Sequence, residues 1–299
     1  MMERWVVLFG GSGFVGRHLA PWLAAKGWTV RVASRHPRQE EAYAAAVRVV
    51  TVAADLGAED QVRRAVTGAE AVINLVGIAR EREASFEAVH VAGAARVARL
   101  ATAARVKRLL HLSALGIAED APAAADRTKA RGEAVVRAAF PAATLVRPSL
   151  IDGPGDHFFT RFAAMAKVSP VLPVIGGGRT RFQPLHINDA TSALLALLER
   201  PATVGATLAL VGPETFTFRA LLERLLAVLG RRRRLLPLPF PLAEALAASL
   251  ERLPDPPLTR EEVRLLRTDK VAGGLPTPAA LGLVARPLGK GLPVSLQAG

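Results

Sequence analysis

The sequence predicts an α/β protein with a doubly wound parallel sheet and a small, mixed C-terminal lobe. Three observations lead to this fold class. Short apolar runs alternate with helical stretches through the first half of the chain, as expected for strands buried on both faces of a parallel sheet. A glycine-rich segment joins the first apolar run to the first helical stretch. The second half is less regular, with glycine–proline turns between amphipathic stretches.

The elements of the first half follow one another in alternation, which is typical of βαβ units. The predicted strands cover residues 5–10, 29–33, 47–53, 71–77, 108–114 and 143–149. The predicted helices cover residues 13–26, 38–46, 59–66, 85–105, 190–200 and 217–230. A further helix, which carries Lys129, is predicted between the fifth and sixth strands. We expect a sheet domain over residues 1–150 and a smaller lobe over residues 151–299, interleaved with the first domain in space.

Composition limits the class of protein. A chain of 299 residues, 51% of them hydrophobic, can fill a large core. The absence of cysteine excludes disulfides and thiolate metal sites, and sparse histidines make a metal site unexpected. No apolar run approaches the roughly 20 residues of a membrane helix, and the first strand begins near Trp5, which leaves no room for a secretory signal. We expect a cytoplasmic protein, with attachment to the periphery of the inner membrane as an alternative.

The net charge of +13 permits an acidic partner, but its distribution argues against nucleic acid. Six of the 39 basic residues are lysine, which is typical of an arginine-rich composition. The basic residues are scattered apart from one run at residues 231–234, and no aromatic side chains are interleaved with them. We expect no nucleic-acid partner.

The segment GGSGFVG, residues 10–16, separates the first strand from the first helix and indicates a dinucleotide site. Gly10 permits the tight turn, Gly13 lets the backbone approach a pyrophosphate, and Gly16 lets helix and sheet pack closely. The helix N-terminus supplies N–H donors and partial positive charge to the phosphates. The predicted contacts are Gly10, Gly13, Phe14, Val15 and Gly16.

The end of the second strand indicates which nucleotide binds. A site selective for NAD usually carries an acid there, which binds the ribose hydroxyls. This chain has Ser34 and Arg35 instead, and a guanidinium suits a 2′-phosphate because it can bind it through two hydrogen bonds. We expect NADP(H) rather than NAD(H). The alternative is that Arg35 is an ordinary exposed arginine.

The ends of the next two strands complete the predicted cleft. Asp55 and Leu56 follow the third strand and are placed to contact the adenine. Leu75, Val76 and Gly77 end the fourth strand, where the backbone would line the middle of the cofactor. Both predictions follow from the rule that ligands bind at the carboxyl ends of parallel strands.

Two further residues point to a particular protein family. They are Ser113, at the end of the fifth strand, and Lys129, on the following helix. Together with the glycine loop they resemble the extended short-chain dehydrogenase/reductase superfamily. The chain is similar to the atypical branch that includes the accessory nucleotide-binding subunit of mitochondrial complex I and its bacterial relatives. The resemblance implies a Rossmann domain, a small C-terminal lobe and a bound nicotinamide nucleotide. The similar segments are residues 10–19, 73–77, 129–141, 147–158, 176–190 and 212–222.

The chain departs from the family at the proton donor. In active members a tyrosine four residues before the lysine exchanges the proton, the lysine holds the nicotinamide ribose, and the serine orients the substrate. Here that position is Ala125, and the single tyrosine of the chain is Tyr43, on the adenosine side of the predicted site. Lys129 and Ser113 therefore form a degenerate catalytic site. The fold of the family accommodates a tyrosine ring at position 125.

Two functions remain open from the sequence. The first is an NADP(H)-binding accessory or scaffold protein near a respiratory or quinone-related membrane system. The second is an active reductase or epimerase that uses water, His157 or His186 in place of tyrosine. The basic run 231–234 precedes an apolar, proline-broken segment, residues 235–250. These two stretches suit either a membrane complex or anionic membrane surface, or a solvated helix end beside a core segment.

Overall fold

The computed structural model of the chain describes residues 3–37 and 46–288. These residues form two compact units, and each unit is assembled from separate stretches of chain, so the second half of the sequence contributes to both. The first unit contains the described parts of Met1–Ala114, Arg127–Arg147 and Ile187–Leu208. The second contains those of Leu115–Asp126, Pro148–His186 and Ala209–Gly299. The helix predicted near 38–46, with Tyr43, lies almost entirely outside the described residues.

The strands are short and are separated by helices throughout. They are β1 Arg4–Phe9, β2 Trp28–Ser34, β3 Val49–Ala53, β4 Ala71–Asn74, β5 Arg108–Leu112, β6 Thr144–Pro148, β7 Ile151–Asp152, β8 Val171–Ile175, β9 Arg181–Phe182, β10 Leu185–His186, β11 Thr207–Leu210, β12 Phe216–Thr217 and β13 Arg234–Leu238.

The helices are α1 Phe14–Ala25, α2 Glu59–Val66, α3 Ala94–Ala103, α4 Ala124–Ala139, α5 Phe158–Val168, α6 Ile187–Glu199, α7 Phe218–Val228, α8 Phe240–Leu250 and α9 Arg260–Leu265. A π-helix, Glu87–Gly93, runs directly into α3. None of these helices has both the length and the apolar character needed to cross a bilayer.

Seven strands form one parallel sheet in the order β3-β2-β1-β4-β5-β6-β11. The chain moves outward from β1 to β3 and then returns to the other side of β1 with β4. The strand order therefore reverses between β1 and β4, and in sheets of this kind ligands bind at that reversal, beyond the carboxyl ends of the strands. The predicted fold class is confirmed.

The core of the first unit is built from side chains on both faces of this sheet. Val7 and Phe9 of β1 and Val72 of β4 are fully buried, and Leu100 of α3 and Leu109 of β5 are almost so. Strands enclosed in this way have no solvated face, which is why their sequences are nearly continuous apolar runs. The second unit has its own core, centred on Phe159, Phe218, Leu221, Leu222 and Leu225.

The six predicted strands are present, with ends that differ by a few residues, whereas β11 was not predicted. The helix predicted over 13–26 is α1, which continues through Pro21, and Gly27 follows it at φ 89°. The helix predicted over 85–105 differs, because its first part is the π-helix. Such wider turns accommodate local packing demands and occur frequently at functional sites.

Candidate functional site

A cleft of about 980 Å³ lies in the first unit, beyond the carboxyl ends of β1 to β4. Nine predicted cofactor contacts line it, namely Gly10, Gly13, Ser34, Arg35, Asp55, Leu56, Leu75, Val76 and Gly77. Side chains and backbone that the sequence did not single out line it too, among them Ser12, His36, Ile78, Arg80, Arg82 and Glu83. The cleft therefore lies where the strand order reverses.

The glycine loop has the shape that a pyrophosphate requires. Gly10 turns the chain at φ 73°, and a Cβ there would be 3.1 Å from the backbone nitrogen of Val76. A Cβ on Gly16 would overlap Gly11, so only glycine lets α1 pack this closely. A Cβ on Gly13 would meet only the carbonyl oxygen of Gly10, at 3.2 Å, and would otherwise project into open space. The first turn of α1 contains no acidic residue, so the N-terminus of this helix suits an anionic group such as a diphosphate.

Cationic groups gather near the end of β2. Nη1 of Arg35 lies 2.6 Å from Oε2 of Glu83, and both side chains are at least half exposed. Arg80 and Arg82 line the same cleft. An anionic ligand that binds Arg35 must therefore displace the Glu83 carboxylate or share the guanidinium with it.

Asp55 shapes the turn that follows β3. Its Oδ1 accepts a hydrogen bond from the Gly57 N–H at 2.6 Å, and its own N–H donates to Oε1 of Gln61 at 2.8 Å. Leu56 is nearly buried. The turn is thus held by its own hydrogen bonds and presents a fixed rim to the cleft.

A buried histidine fixes the loop after β4. Nε2 of His90 accepts a hydrogen bond from the Ile78 N–H at 3.1 Å, so the ring proton is on Nδ1, which donates to Oγ1 of Thr128 at 2.9 Å. His90 belongs to the π-helix, and a Cβ on Gly132 of α4 would overlap its carbonyl oxygen. Glycine at position 132 therefore lets the π-helix lie against α4.

A second buried histidine supports the same loop from the sheet. Oδ1 of Asn74 accepts a hydrogen bond from the Val76 N–H at 3.2 Å, and its Nδ2 lies 3.2 Å from Nδ1 of His111. Because the amide nitrogen donates, Nδ1 of His111 carries no proton. Two neutral histidines of defined tautomer thus hold the segment that lines the middle of the cleft.

The lysine of α4 lies beside that segment. Cε of Lys129 would be 3.9 Å from a Cβ on Gly77, as would Nε2 of His90. One turn along α4, Glu133 is buried and binds Arg147 through two hydrogen bonds of 2.9 and 2.6 Å. The Lys129 side chain therefore lies next to Gly77, which lines the cleft.

Residues 6–211 match the model of the NAD dependent epimerase/dehydratase family. The chain belongs to this family. It is 34% identical over 248 residues to the Arabidopsis thaliana protein named NADH dehydrogenase [ubiquinone] 1 alpha subcomplex subunit 9, mitochondrial. That match covers 81% of this chain and 62% of the relative, so the chain spans less than two thirds of the relative's length. It confirms the resemblance to the complex I accessory subunit.

A further relative is named as an enzyme. The ceramide reductase of Caulobacter vibrioides is 34% identical over 241 residues, which cover 79% of this chain and 74% of the relative. Among solved structures, gox2253 superposes with a TM-score of 0.73 at 20% identity, covering 97% of this chain and 96% of that one. MoeE5 in complex with UDP-glucose and NAD gives 0.71 at 16% identity, with 98% and 97% covered. These two likenesses establish the fold alone.

Four of the remaining predicted residues do not line the cleft. Phe14, Val15 and Gly16 belong to the first turn of α1 rather than to the lining. Ser113 lies just beyond β5, and its buried Oγ has no hydrogen-bond partner among the described residues. This orphaned hydroxyl could bind a polar group of a ligand.

Ala125, which occupies the position of the family's tyrosine, is buried. Ala125 is 2% exposed, and its N–H donates to Oε1 of Glu261 at 2.6 Å. We expected the fold to accommodate a tyrosine ring at position 125, but the buried Ala125 leaves no space for one. The alternative acids His157, which is exposed, and His186, which is partly buried, belong to the second unit. Their role as acids stays a prediction.

The sequence did not point to three residues of the site, His90, His111 and Thr128. Both histidines stand in apolar stretches, where periodicity shows that a position is buried but not which polar group meets it. Residues 3–37 and 46–288 contain no cluster of three histidine or acidic side chains that could hold a metal.

The two buried histidines predict how stability depends on pH. Burial lowers the pKa of His90 to about 3, with the charge of Lys129 acting in the same direction. Burial lowers the pKa of His111 to about 4, against the attraction of Glu133. In the unfolded chain both titrate near 6.5. As the pH falls below about 6.5, the unfolded state gains protons that the folded state does not. Each histidine should therefore lower the free energy of unfolding by about 1.4 kcal/mol per pH unit.

Urea denaturation of the wild type between about pH 7 and pH 5 measures this slope. His90→Gln and His111→Gln should each reduce it by about 1.4 kcal/mol per pH unit. Slopes that are the same in all three proteins would show that the two rings are not held neutral.

Proposed function

We propose that the chain is an NADP(H)-binding protein of the atypical extended short-chain dehydrogenase/reductase type, with an accessory or scaffold role near a respiratory or quinone-related membrane system. The observation that carries the proposal is a pair of contrasting features. The cleft retains a glycine loop and a cation at the end of β2, and Lys129 lies beside Gly77 of its lining, whereas the proton donor is replaced by the buried Ala125. The chain retains what binding requires and lacks what chemistry usually requires.

The residues of the cleft suit NADP(H) more than NAD(H). The glycine loop would take the pyrophosphate, and Arg35 would meet a 2′-phosphate through its fork of N–H donors. Ser34, Arg35 and His36 end β2 without the acid that binds the ribose of NAD. Lys129, beside Gly77, would bind the nicotinamide ribose. When bound, the nucleotide would supply a hydride.

The replacement at position 125 supports binding without turnover. Reduction of a carbonyl leaves an alkoxide that must receive a proton, and a positioned acid typically contributes a factor of roughly 10²–10⁴. An alanine has no proton to give. Lys129 near Gly77 is explained by ribose binding alone, so its presence does not require chemistry. The accessory role is supported by the 34% identity to the complex I subunit.

An active NADPH-dependent reductase or epimerase is the second candidate, for two reasons. The relative named ceramide reductase is as similar to this chain as the complex I subunit is. The buried Oγ of Ser113 has no hydrogen-bond partner among the described residues, as expected of a hydroxyl that orients a substrate. This candidate needs a substitute acid, water or one of His157 and His186.

The choice of nucleotide can be tested at Arg35. Arg35→Ala should weaken NADPH binding by about 10- to 100-fold, the effect of losing a charge-assisted hydrogen bond, and should change NADH binding by less than about twofold. Glu83→Gln should strengthen NADPH binding by about threefold, because an exposed ion pair of this kind is worth up to about 1 kcal/mol. Fluorescence titration with both nucleotides measures these effects.

Arg64→Ala, at an exposed arginine of α2, is the matched control and should bind both nucleotides as the wild type does. Equal losses of NADPH and NADH affinity in Arg35→Ala would contradict a 2′-phosphate site.

Because Ala125 is buried, a tyrosine at this position should destabilise the protein. Ala125→Tyr should lower the free energy of unfolding by about 1–3 kcal/mol, the usual cost of forcing a larger side chain into a packed site. Ala134→Tyr places the same ring on an exposed position of α4 and should cost only a few tenths of a kcal/mol. Thermal unfolding of both variants measures the difference. An Ala125→Tyr protein that is as stable as the wild type and reduces carbonyl compounds would favour the reductase.

A further inference from the structure

The second unit carries four leucines, close together in the sequence, that are about half exposed among the described residues. We call these four side chains the leucine surface. Their exposed fractions are 57% for Leu236 in β13, 60% for Leu242 and 47% for Leu246 in α8, and 51% for Leu253 just beyond that helix. Folded proteins seldom leave large apolar side chains this exposed in neighbouring stretches of chain unless a partner covers them.

Helix α8 explains how this surface arises. Its buried face consists of alanines, Ala243 and Ala247, so the helix lies close to its own unit and its leucines point away. Leu242 and Leu246 are one turn apart and lie on one face. The other exposed positions of this helix are also uncharged, namely Pro241, Ala245, Ala248 and Ser249. Apart from Glu244 and Ser249 the helix consists of apolar residues, and a helix with so few polar residues is usually covered on more than one face.

Acidic groups near the leucine surface are already paired. Glu244 is the one charged residue between Leu235 and Leu250, and its Oε1 lies 2.9 Å from Nη2 of Arg267. Glu251 is bound to Arg260 at 2.7 Å. The surface therefore presents no uncompensated negative charge from these positions.

A cluster of cations directly precedes the leucine surface in the chain. The run Arg231–Arg234 leads directly into β13, and two hydrogen bonds tie it to the end of α5. Nε of Arg233 donates to the Ala166 carbonyl at 2.8 Å, and the Arg234 N–H donates to that of Pro170 at 3.0 Å. They bring the run next to two exposed residues, Lys167 and Val168, and the valine is 86% exposed.

We propose that the leucine surface and this basic cluster dock on an anionic phospholipid bilayer. Aliphatic side chains would enter the boundary between headgroups and acyl chains, and the arginines would bind lipid phosphates. The chemistry favours a bilayer over a protein partner, because the large exposed apolar groups here are leucine and valine rather than the tryptophan and tyrosine that centre protein interfaces. The neighbouring arginines complement anionic headgroups. The inference rests on the proposed accessory role at a membrane and names the partner of that role.

Vesicle flotation of the full chain tests the proposal. The wild type should float with vesicles of phosphatidylcholine mixed with phosphatidylglycerol, should float far less with phosphatidylcholine alone, and should be released by salt. The double variant Leu242→Asn, Leu246→Asn should reduce the bound fraction about tenfold. Replacing all of Arg231–Arg234 by glutamine should reduce it similarly and abolish its dependence on salt.

Controls outside the surface carry the same chemical changes. Val204→Asn alters an exposed valine of the first unit, and the pair Arg63→Gln, Arg64→Gln alters exposed arginines of α2. Both should float as the wild type does. Every variant is also titrated with NADPH, and the docking variants should bind it unchanged. A wild type that floats but binds no nucleotide would contradict the nucleotide proposal and leave docking intact.

Three results would overturn the docking proposal, and the first two need no variant. The first is a wild type that does not float with anionic vesicles, and the second is equal flotation with neutral ones. The third is a leucine variant that floats normally but has lost a concentration-dependent dimer of the wild type, since the surface would then be a contact with a second copy of the chain.

Discussion

The close approach of α4 to the carbonyl of His90 is the constraint on which the cleft depends. Gly132 permits it, because any Cβ at that position would overlap the carbonyl oxygen. The approach places the His90 ring between the Ile78 N–H and the Thr128 hydroxyl, and it brings Lys129 beside Gly77. One residue after the glycine, Glu133 anchors α4 to Arg147 in β6. A short stretch, residues 128–133, therefore fixes the floor of the cleft, the cation next to it and the distance between helix and sheet.

In the proposed binding site, the glycine loop and the buried polar groups have different roles. The loop provides space and backbone donors for a diphosphate, and the histidines hold the segment after β4 in place without adding charge. Burial keeps both rings neutral in the folded protein at neutral pH. None of these contacts involves a proton donor at position 125, so the proposed binding does not depend on the missing tyrosine.

The sheet and the rim of the cleft could be predicted from the sequence because each depends on local pattern. Buried parallel strands give continuous apolar runs, and the carboxyl ends of β1 to β4 carried the predicted contacts Gly13, Arg35, Asp55 and Gly77. The rest depends on contacts between distant segments. Nothing local to Gly132 shows that a carbonyl lies against it, and nothing local to Arg35 shows its pairing with Glu83. The strand β11 and the tight packing around Ala125 were missed for the same reason.

We propose that this chain holds NADP(H) without turning it over. The most direct measurement is the oxidation of NADPH bound to the wild type on addition of carbonyl compounds or quinones, with Gly13→Val as the blank that should bind no nucleotide. The account predicts that the bound nucleotide stays reduced with every acceptor. Rapid oxidation by the wild type, abolished in His157→Ala or His186→Ala, would contradict it and identify a reductase with a relocated acid.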